Sequence, residues 1–204
     1  MGTQILLMRH GESHSNVSKI FACRALDYDL TDKGKADVKA AIPSVEQFQP
    51  DCIFSSPSQR AIQTAEIIGA ALGIPVVRDD RLLEADVGRL EGKDEYAEPY
   101  RSRFDEVLAS WQTGNYDRAF PSGESFTDID RRVSSFLNER ILPVRSSRTM
   151  IVSHCLALMA LVWKHGHRFQ NKFTDNYIKT ASTVVVTIPD GFDVSGAGKN
   201  DLRP

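Results

Sequence analysis

The chain has 204 residues, 41% hydrophobic and 25% charged, with a formal net charge of −2. That length and composition suit a soluble globular domain, and the near-neutral charge gives no electrostatic case for nucleic acid or a membrane surface as partner. Cys23, Cys52 and Cys155 match no disulfide framework or zinc spacing, no apolar run is long enough to span a bilayer, and residues 1–7 lack the form of a signal peptide, so the expected compartment is a reducing cytoplasm.

Gln4–Met8 is a short aliphatic run that predicts a buried strand. It opens onto Arg9-His10-Gly11-Glu12-Ser13, a polar turn at the strand exit, where open α/β sheets bind ligands. Arginine offers a planar fork of donors suited to phosphate, and histidine can act as a nucleophile. The pair predicts that His10 attacks an anionic group that Arg9 holds. Thr31 is a predicted N-cap for a helix running towards Phe48. Cys52–Phe54 is a second strand, with Cys52 expected to be an inert buried thiol. The following Ser-Ser-Pro turn leads into a helix whose apolar face is Ala61, Ala65, Ile68 and Leu72. Arg60 stands near its start, where exposed backbone N–H groups are expected to favour an anion.

Val76–Val77 predicts a third strand, and Glu84 sits in the loop Leu82–Gly92 beyond it. Residues 88–123 then break the rhythm. They contain a predicted helix from Tyr100 to Trp111 between polar and Gly/Pro segments, read as a helical insertion over the strand ends that acts as a lid. Ser125-Phe126-Thr127-Asp128 has capping-box character with Asp in place of Glu or Gln, and Phe126, Ile129, Val133, Phe136 and Leu137 line one helical face. Met150–Val152 is a strand ending at Ser153-His154, and Leu156–Lys164 predicts a buried helix. His165-Gly166-His167 reads as a solvated turn. Thr183–Ile188 is the last strand, and the tail 190–204 is expected to be mobile, its Gly196–Lys199 being only part of a phosphate-binding loop. Strands alternating with helices predict a three-layer α/β/α fold with a mainly parallel central sheet, as one domain over 1–204.

The ordered set of Arg9-His10-Gly11-Glu12-Ser13, Ser55-to-Ala65, Glu84 within Leu82–Gly92, and Val152-Ser153-His154 resembles the histidine phosphatase superfamily, also called the phosphoglycerate-mutase-like family. The resemblance runs from about Gln4 to about Ile188. It implies that His10 is the nucleophile, that Arg9 and Arg60 hold the phosphoryl group, that His154 contacts it, and that Glu84 donates a proton to the leaving alcohol. It also implies that the amide of Asn16 helps bind phosphate, while Ser13 and Glu12 stand further out. Cys155 replaces the glycine that usually follows the second histidine, which puts a thiol near the pocket. Asp86 and Glu91 are nearby alternatives to Glu84 or simply loop charges.

Mutases of the family share this core, so the substrate loop has to discriminate. This chain has Ile20-Phe21-Ala22-Cys23 where mutases show an Arg-Phe-Ser-Gly-like segment, and Arg101 and Arg103 are not the adjacent pair that mutases carry. Pro121-Ser122-Gly123-Glu124-Ser125, followed by Asp128 and Arg131-Arg132, resembles the compact phosphatase branch. The expectation is a phosphatase for a small phosphorylated metabolite, needing no cofactor and no metal. The alternatives are a phosphoglycerate mutase and a module that recognises phosphoproteins. Arg24, Arg89, Lys93, Tyr96, Arg101 and Arg103 either meet a second anionic group, Arg24 foremost, or face solvent. Oligomeric state is not legible; a homodimer is one option.

Overall fold

The computed structural model describes residues 2–144, 147–166 and 172–189; the tail, and His167 of the expected solvated turn, lie outside these. Among the described residues, β1 (Gly2–Arg9), β2 (Cys52–Ser55), β3 (Val76–Arg78), β4 (Thr149–Ser153) and β5 (Thr183–Pro189) form one sheet in the order β3-β2-β4-β1-β5. Neighbours are parallel except β5, which lies antiparallel to β1 along its length, from Gly2↔Pro189 to Met8↔Thr183.

The inner strands read as continuous apolar runs because helices cover both of their faces. Leu6, Met8, Ile53, Met150 and Val152 pack with α2 (Asp32–Phe48) and α3 (Gln59–Leu72) through Val38, Val45, Ala61, Ala65 and Ile68. Ile5, Leu7, Phe54 and Ile151 pack on the other face with α5 (Phe126–Phe136) and α6 (Cys155–His165). This is the expected α/β/α sandwich. The helices between β1, β2 and β3 lie on one face and those between β3 and β4 on the other, so the crevice opens at the carboxyl ends of β1 and β4.

The expected caps form. Thr31 accepts the Gly34 N–H at 2.9 Å, and Ser125 and Asp128 make a reciprocal capping box, an aspartate serving where glutamate is usual. One glycine matters to the site. A Cβ on Gly34 would lie 2.0 Å from the Glu12 carbonyl oxygen, so only glycine lets α2 approach the loop that carries His10.

Within 88–123 the expected helix forms, one residue longer than Tyr100–Trp111. This helix, α4 (Tyr100–Gln112), sends Val107 and Trp111 into the main core, where Trp111 meets Phe120, Phe126 and Phe173 edge-to-face at 5.4–5.9 Å. The indole N–H donates to the Arg118 carbonyl at 2.7 Å. The base of the stretch is therefore anchored by aromatic burial, which neither its polar flanks nor its charge pattern advertised. Two expectations are corrected. Cys52 is half-buried, its sulfur 3.3 Å from Thr149 Oγ1. His165 is buried, with Nε2 2.7 Å from Asp130 Oδ1 and 3.2 Å from Ser134 Oγ, because α6 runs one residue further than its apolar pattern and turns this ring onto α5.

Candidate active site

A cavity of about 380 Å³ opens at the carboxyl ends of β1 and β4. Arg9, His10, Asn16, Arg60, Glu84 and Cys155 line it. His154 and Ser13 lie behind that lining, and both are fully buried.

His10 follows β1 directly. Its amide donates to the Ser153 carbonyl at 3.0 Å, which continues the β1–β4 ladder into the site. Its Nδ1 lies 2.7 Å from the Gly11 carbonyl oxygen. A carbonyl can only accept, so Nδ1 carries the hydrogen, and in the neutral ring the lone pair is on Nε2. Arg60 Nε donates towards that lone pair at 3.3 Å. Burial, together with the Arg60 and Arg9 cations, holds the His10 pKa well below the ordinary histidine value. The ring is therefore neutral, with its lone-pair nitrogen directed at the Arg60 guanidinium.

Arg60 is 2% exposed, the opposite of a solvent-facing helix residue. Its Nη1 is 3.3 Å from Asp27 Oδ1, and Nη2 donates to the Cys23 carbonyl at 3.4 Å. Thr64 joins the two catalytic segments, since its hydroxyl accepts the Gly11 N–H at 3.0 Å and donates to the Arg60 carbonyl at 2.8 Å. The helix start contributes less than expected, because Asp27 already takes the Gln59 N–H at 2.6 Å. Arg9 is fixed from the far end of the chain. Nη1 donates to the Tyr177 hydroxyl at 2.7 Å, while its buried Nε has no hydrogen-bond partner among the described residues.

His154 packs beside His10 with ring centroids 5.1 Å apart. Its Nε2 is 2.8 Å from Ser56 Oγ, and its buried Nδ1 has no hydrogen-bond partner. Burial first, then Arg60 and His10, push its pKa well below the ordinary value as well.

Glu84 is buried, and its carboxylate caps α6. One oxygen accepts the Ala85 and Ala157 N–H groups at 2.9 and 3.0 Å, and the other accepts Leu156 N–H at 3.2 Å. Its own backbone is held as firmly. Arg24 Nε and Arg132 Nη2 both donate to the Glu84 carbonyl, at 2.7 and 3.1 Å, and both guanidiniums pair with Glu124. Arg24, expected to meet substrate, is thus spent on positioning Glu84 and is not part of the cavity wall. Arg132 and Glu124 were legible only as members of a motif; the structure shows what they do.

Ser13 also acts at a remove. Its amide donates to Asn16 Oδ1 at 3.0 Å, which leaves the Asn16 amide nitrogen as the group able to donate to a ligand. Asp86 and Glu91 organise loops: Asp86 accepts Gly88 N–H, and Glu91 accepts the amides of Cys23, Arg24 and Leu26. Cys155 packs its sulfur 3.6 Å from Met159 Sδ, and burial pushes its thiol up to about 12, so it stays protonated and unreactive at neutral pH. Tyr96 and Arg101 reach the cavity wall, whereas Arg89, Lys93 and Arg103 do not. Tyr177 and Glu95, also at the site, carried no sequence signal, since each joins it across a long separation in the chain, whereas Ser56 and Thr64 lay within the Ser55-to-Ala65 motif without a role of their own.

The two buried rings tie stability to pH. Both are uncharged when folded, whereas in the unfolded chain each takes up a proton near 6.5. The unfolded state binds more protons as pH falls, so stability is full above 6.5 and is lost as pH drops from there towards the lowered folded-state values. The expected loss approaches about 2.7 kcal/mol per pH unit for the two rings together. Asp79 and Asp128, whose pKa values are also lowered, act at more acidic pH. Urea midpoints at pH 7.5, 6.5 and 5.5 check this; a flat profile would contradict the two buried neutral rings.

Comparison with known proteins agrees with this geometry. The model of the histidine phosphatase superfamily (branch 1) matches residues 5–195. The chain is 35% identical over 207 residues to a 2,3-bisphosphoglycerate-dependent phosphoglycerate mutase of Nitrobacter winogradskyi, covering 97% of each. It is 29% identical to phosphoserine phosphatase 1 of Hydrogenobacter thermophilus, covering 78% of this chain and 74% of that one. Among solved structures, a mycobacterial glucosyl-3-phosphoglycerate phosphatase superposes with a TM-score of 0.74 at 23% identity, over 90% of this chain and 92% of that one.

Proposed function

Since the chain belongs to branch 1 of the histidine phosphatase superfamily, we propose that it hydrolyses a small phosphate monoester through a phosphohistidine on His10. The observation that carries this reading is the tautomer of His10. Its lone pair is on Nε2, beside a buried arginine and at the wall of a cavity. In the first step Nε2 attacks phosphorus in line, the bond from phosphorus to the leaving oxygen breaks, and the Glu84 carboxyl gives that oxygen a proton. In the second, water attacks phosphorus, its proton passes to the Glu84 carboxylate, and the P–N bond breaks to release phosphate. Two moderate displacements replace one difficult one.

Arg9 and Arg60 supply the donors for the phosphoryl oxygens, whose charge spreads in the transition state, and the buried ring of His154 backs His10 from behind the lining. Asn16 adds its amide N–H. The α4 stretch, with Phe104 and Leu108 on the cavity wall, acts as the lid that excludes water. Ile20, Phe21 and Ala22 give the substrate loop an apolar wall, which supports hydrolysis over transfer between two substrate hydroxyls. The full-length likeness to a phosphoglycerate mutase favours a second reading, phosphoryl transfer within phosphoglycerate.

The test is phosphate release in EDTA from a panel of phosphomonoesters, with 3- to 2-phosphoglycerate interconversion measured in parallel. Release that persists in EDTA without interconversion is expected. Interconversion faster than release would make the chain a mutase, and loss of release in EDTA would overturn the metal-free mechanism.

A further inference from the structure

The cavity wall carries a charge that the phosphoryl chemistry does not use. Glu95 lines the cavity half-buried, and its carboxylate makes no hydrogen bond or ion pair among the described residues; only its backbone N–H is engaged, by the Lys19 carbonyl at 2.8 Å. The cations around it are committed or too distant to pair. Arg101 Nε is bound to Asp105 at 2.7 Å, and Arg9 is held by Tyr177. Lys19, Arg9 and Arg101 act on Glu95 through space, but burial outweighs them and its pKa is raised. A partly desolvated carboxylate without a partner is unfavourable when the cavity is empty and is relieved by a cation that enters it. The aromatic ring of Tyr96 borders the same space, and ring faces also attract cations, whereas the Tyr177 ring is already faced by Arg9 at 5.2 Å.

The phosphate end of the cavity is cationic, while Glu95 is a lining carboxylate left without an ionic partner among the described residues, so the substrate group that meets it should be cationic. We propose that Glu95 selects phosphomonoesters whose leaving alcohol carries an ammonium group, and rejects those that place a carboxylate there. The inference rests on the phosphatase reading above and narrows its substrate class to phosphorylated amino alcohols. A glycerate-like leaving group would bring its carboxylate towards Glu95. The same residue thus disfavours phosphoglycerate, which no feature of the catalytic core does.

The test uses the full chain and three compact substrates: O-phosphoethanolamine, glycerol 1-phosphate and 3-phosphoglycerate, with p-nitrophenyl phosphate as the reporter of basal chemistry. The readouts are ratios of kcat/KM within each protein, wild type against Glu95→Gln, with melting temperature confirming that the variant is folded. Wild type should prefer O-phosphoethanolamine to glycerol 1-phosphate, and Glu95→Gln should cut that preference by at least about tenfold, the size of one charged hydrogen bond. The ratio of 3-phosphoglycerate to glycerol 1-phosphate should rise in the variant. Unchanged ratios in a folded variant, or a wild-type preference for 3-phosphoglycerate, would overturn the inference while leaving the phosphatase reading intact. Absence of p-nitrophenyl phosphate hydrolysis by wild type would overturn that reading, and the inference with it.

Discussion

His10→Ala is expected to lower kcat/KM for any accepted phosphomonoester by at least about 10⁴-fold, because removing a nucleophile stops the covalent route and leaves only the residual effect of binding. The argument is local and geometric. The Nδ1–H bond to Gly11 fixes which nitrogen is basic, and burial between two arginines keeps it unprotonated. No neighbouring group can replace it. His154 stands 5.1 Å away, ring to ring, behind the cavity wall, and the Cys155 thiol, pushed up to about 12, has almost no thiolate at neutral pH. Rapid acid-free quench of wild type with labelled substrate should trap a phosphoenzyme that is alkali-stable and acid-labile, and His10→Ala should trap none. A variant that retains substantial turnover, or a label that survives acid, would place the nucleophile elsewhere.

Arg60→Ala should cost two quantities at once, and separating them is informative. In the transition state the guanidinium is expected to hold phosphoryl oxygens, and loss of one such preorganised group typically lowers turnover by about 10²–10³-fold. In the free protein the same group ties the substrate loop to α3 through Asp27 and the Cys23 carbonyl. Breaking those contacts takes a donor from the partly buried Cys23 carbonyl, at about 1 kcal/mol. Arg60→Ala should therefore both slow turnover and lower the melting temperature. Arg60→Lys keeps the charge without the planar fork, so it should recover most of the stability but only part of the rate. Equal recovery of both would mean that charge alone suffices and that the bond to His10 Nε2 has no orienting role.

The local grammar of this chain is largely legible. Every strand falls within two residues of its apolar run, and Thr31 and Ser125 cap the helices they precede. Arg9, His10, Asn16, Arg60, Glu84 and Cys155 converge on one cavity from five separate segments, because an ordered set of motifs had already implied a common fold. Contacts made between distant segments are what stays hidden. Nothing near Arg24 in sequence says that it will grip the Glu84 carbonyl sixty residues away instead of a ligand. Nothing near Tyr177 marks it as the partner of Arg9, and Trp111 sits in a stretch whose polar flanks suggest a loose excursion where the structure has an aromatic anchor. Such pairings depend on tertiary register, which propensity and periodicity do not encode.

The placement of β1 has a consequence for how the chain is made. Among the described strands it is made before the others, yet it is flanked by β4 and β5, whose residues 149–153 and 183–189 follow those of β2 and β3. Both of its edges stay unsatisfied while most of the polypeptide is synthesised, and the catalytic loop it carries cannot be assembled before then. Pairing over such separations is slow, and an apolar strand that waits is open to association with other nascent chains. Activity should therefore appear abruptly once residues through β5 have emerged, and a ribosome stalled before Tyr177 should hold a chain that already has His10 but no site to use it in.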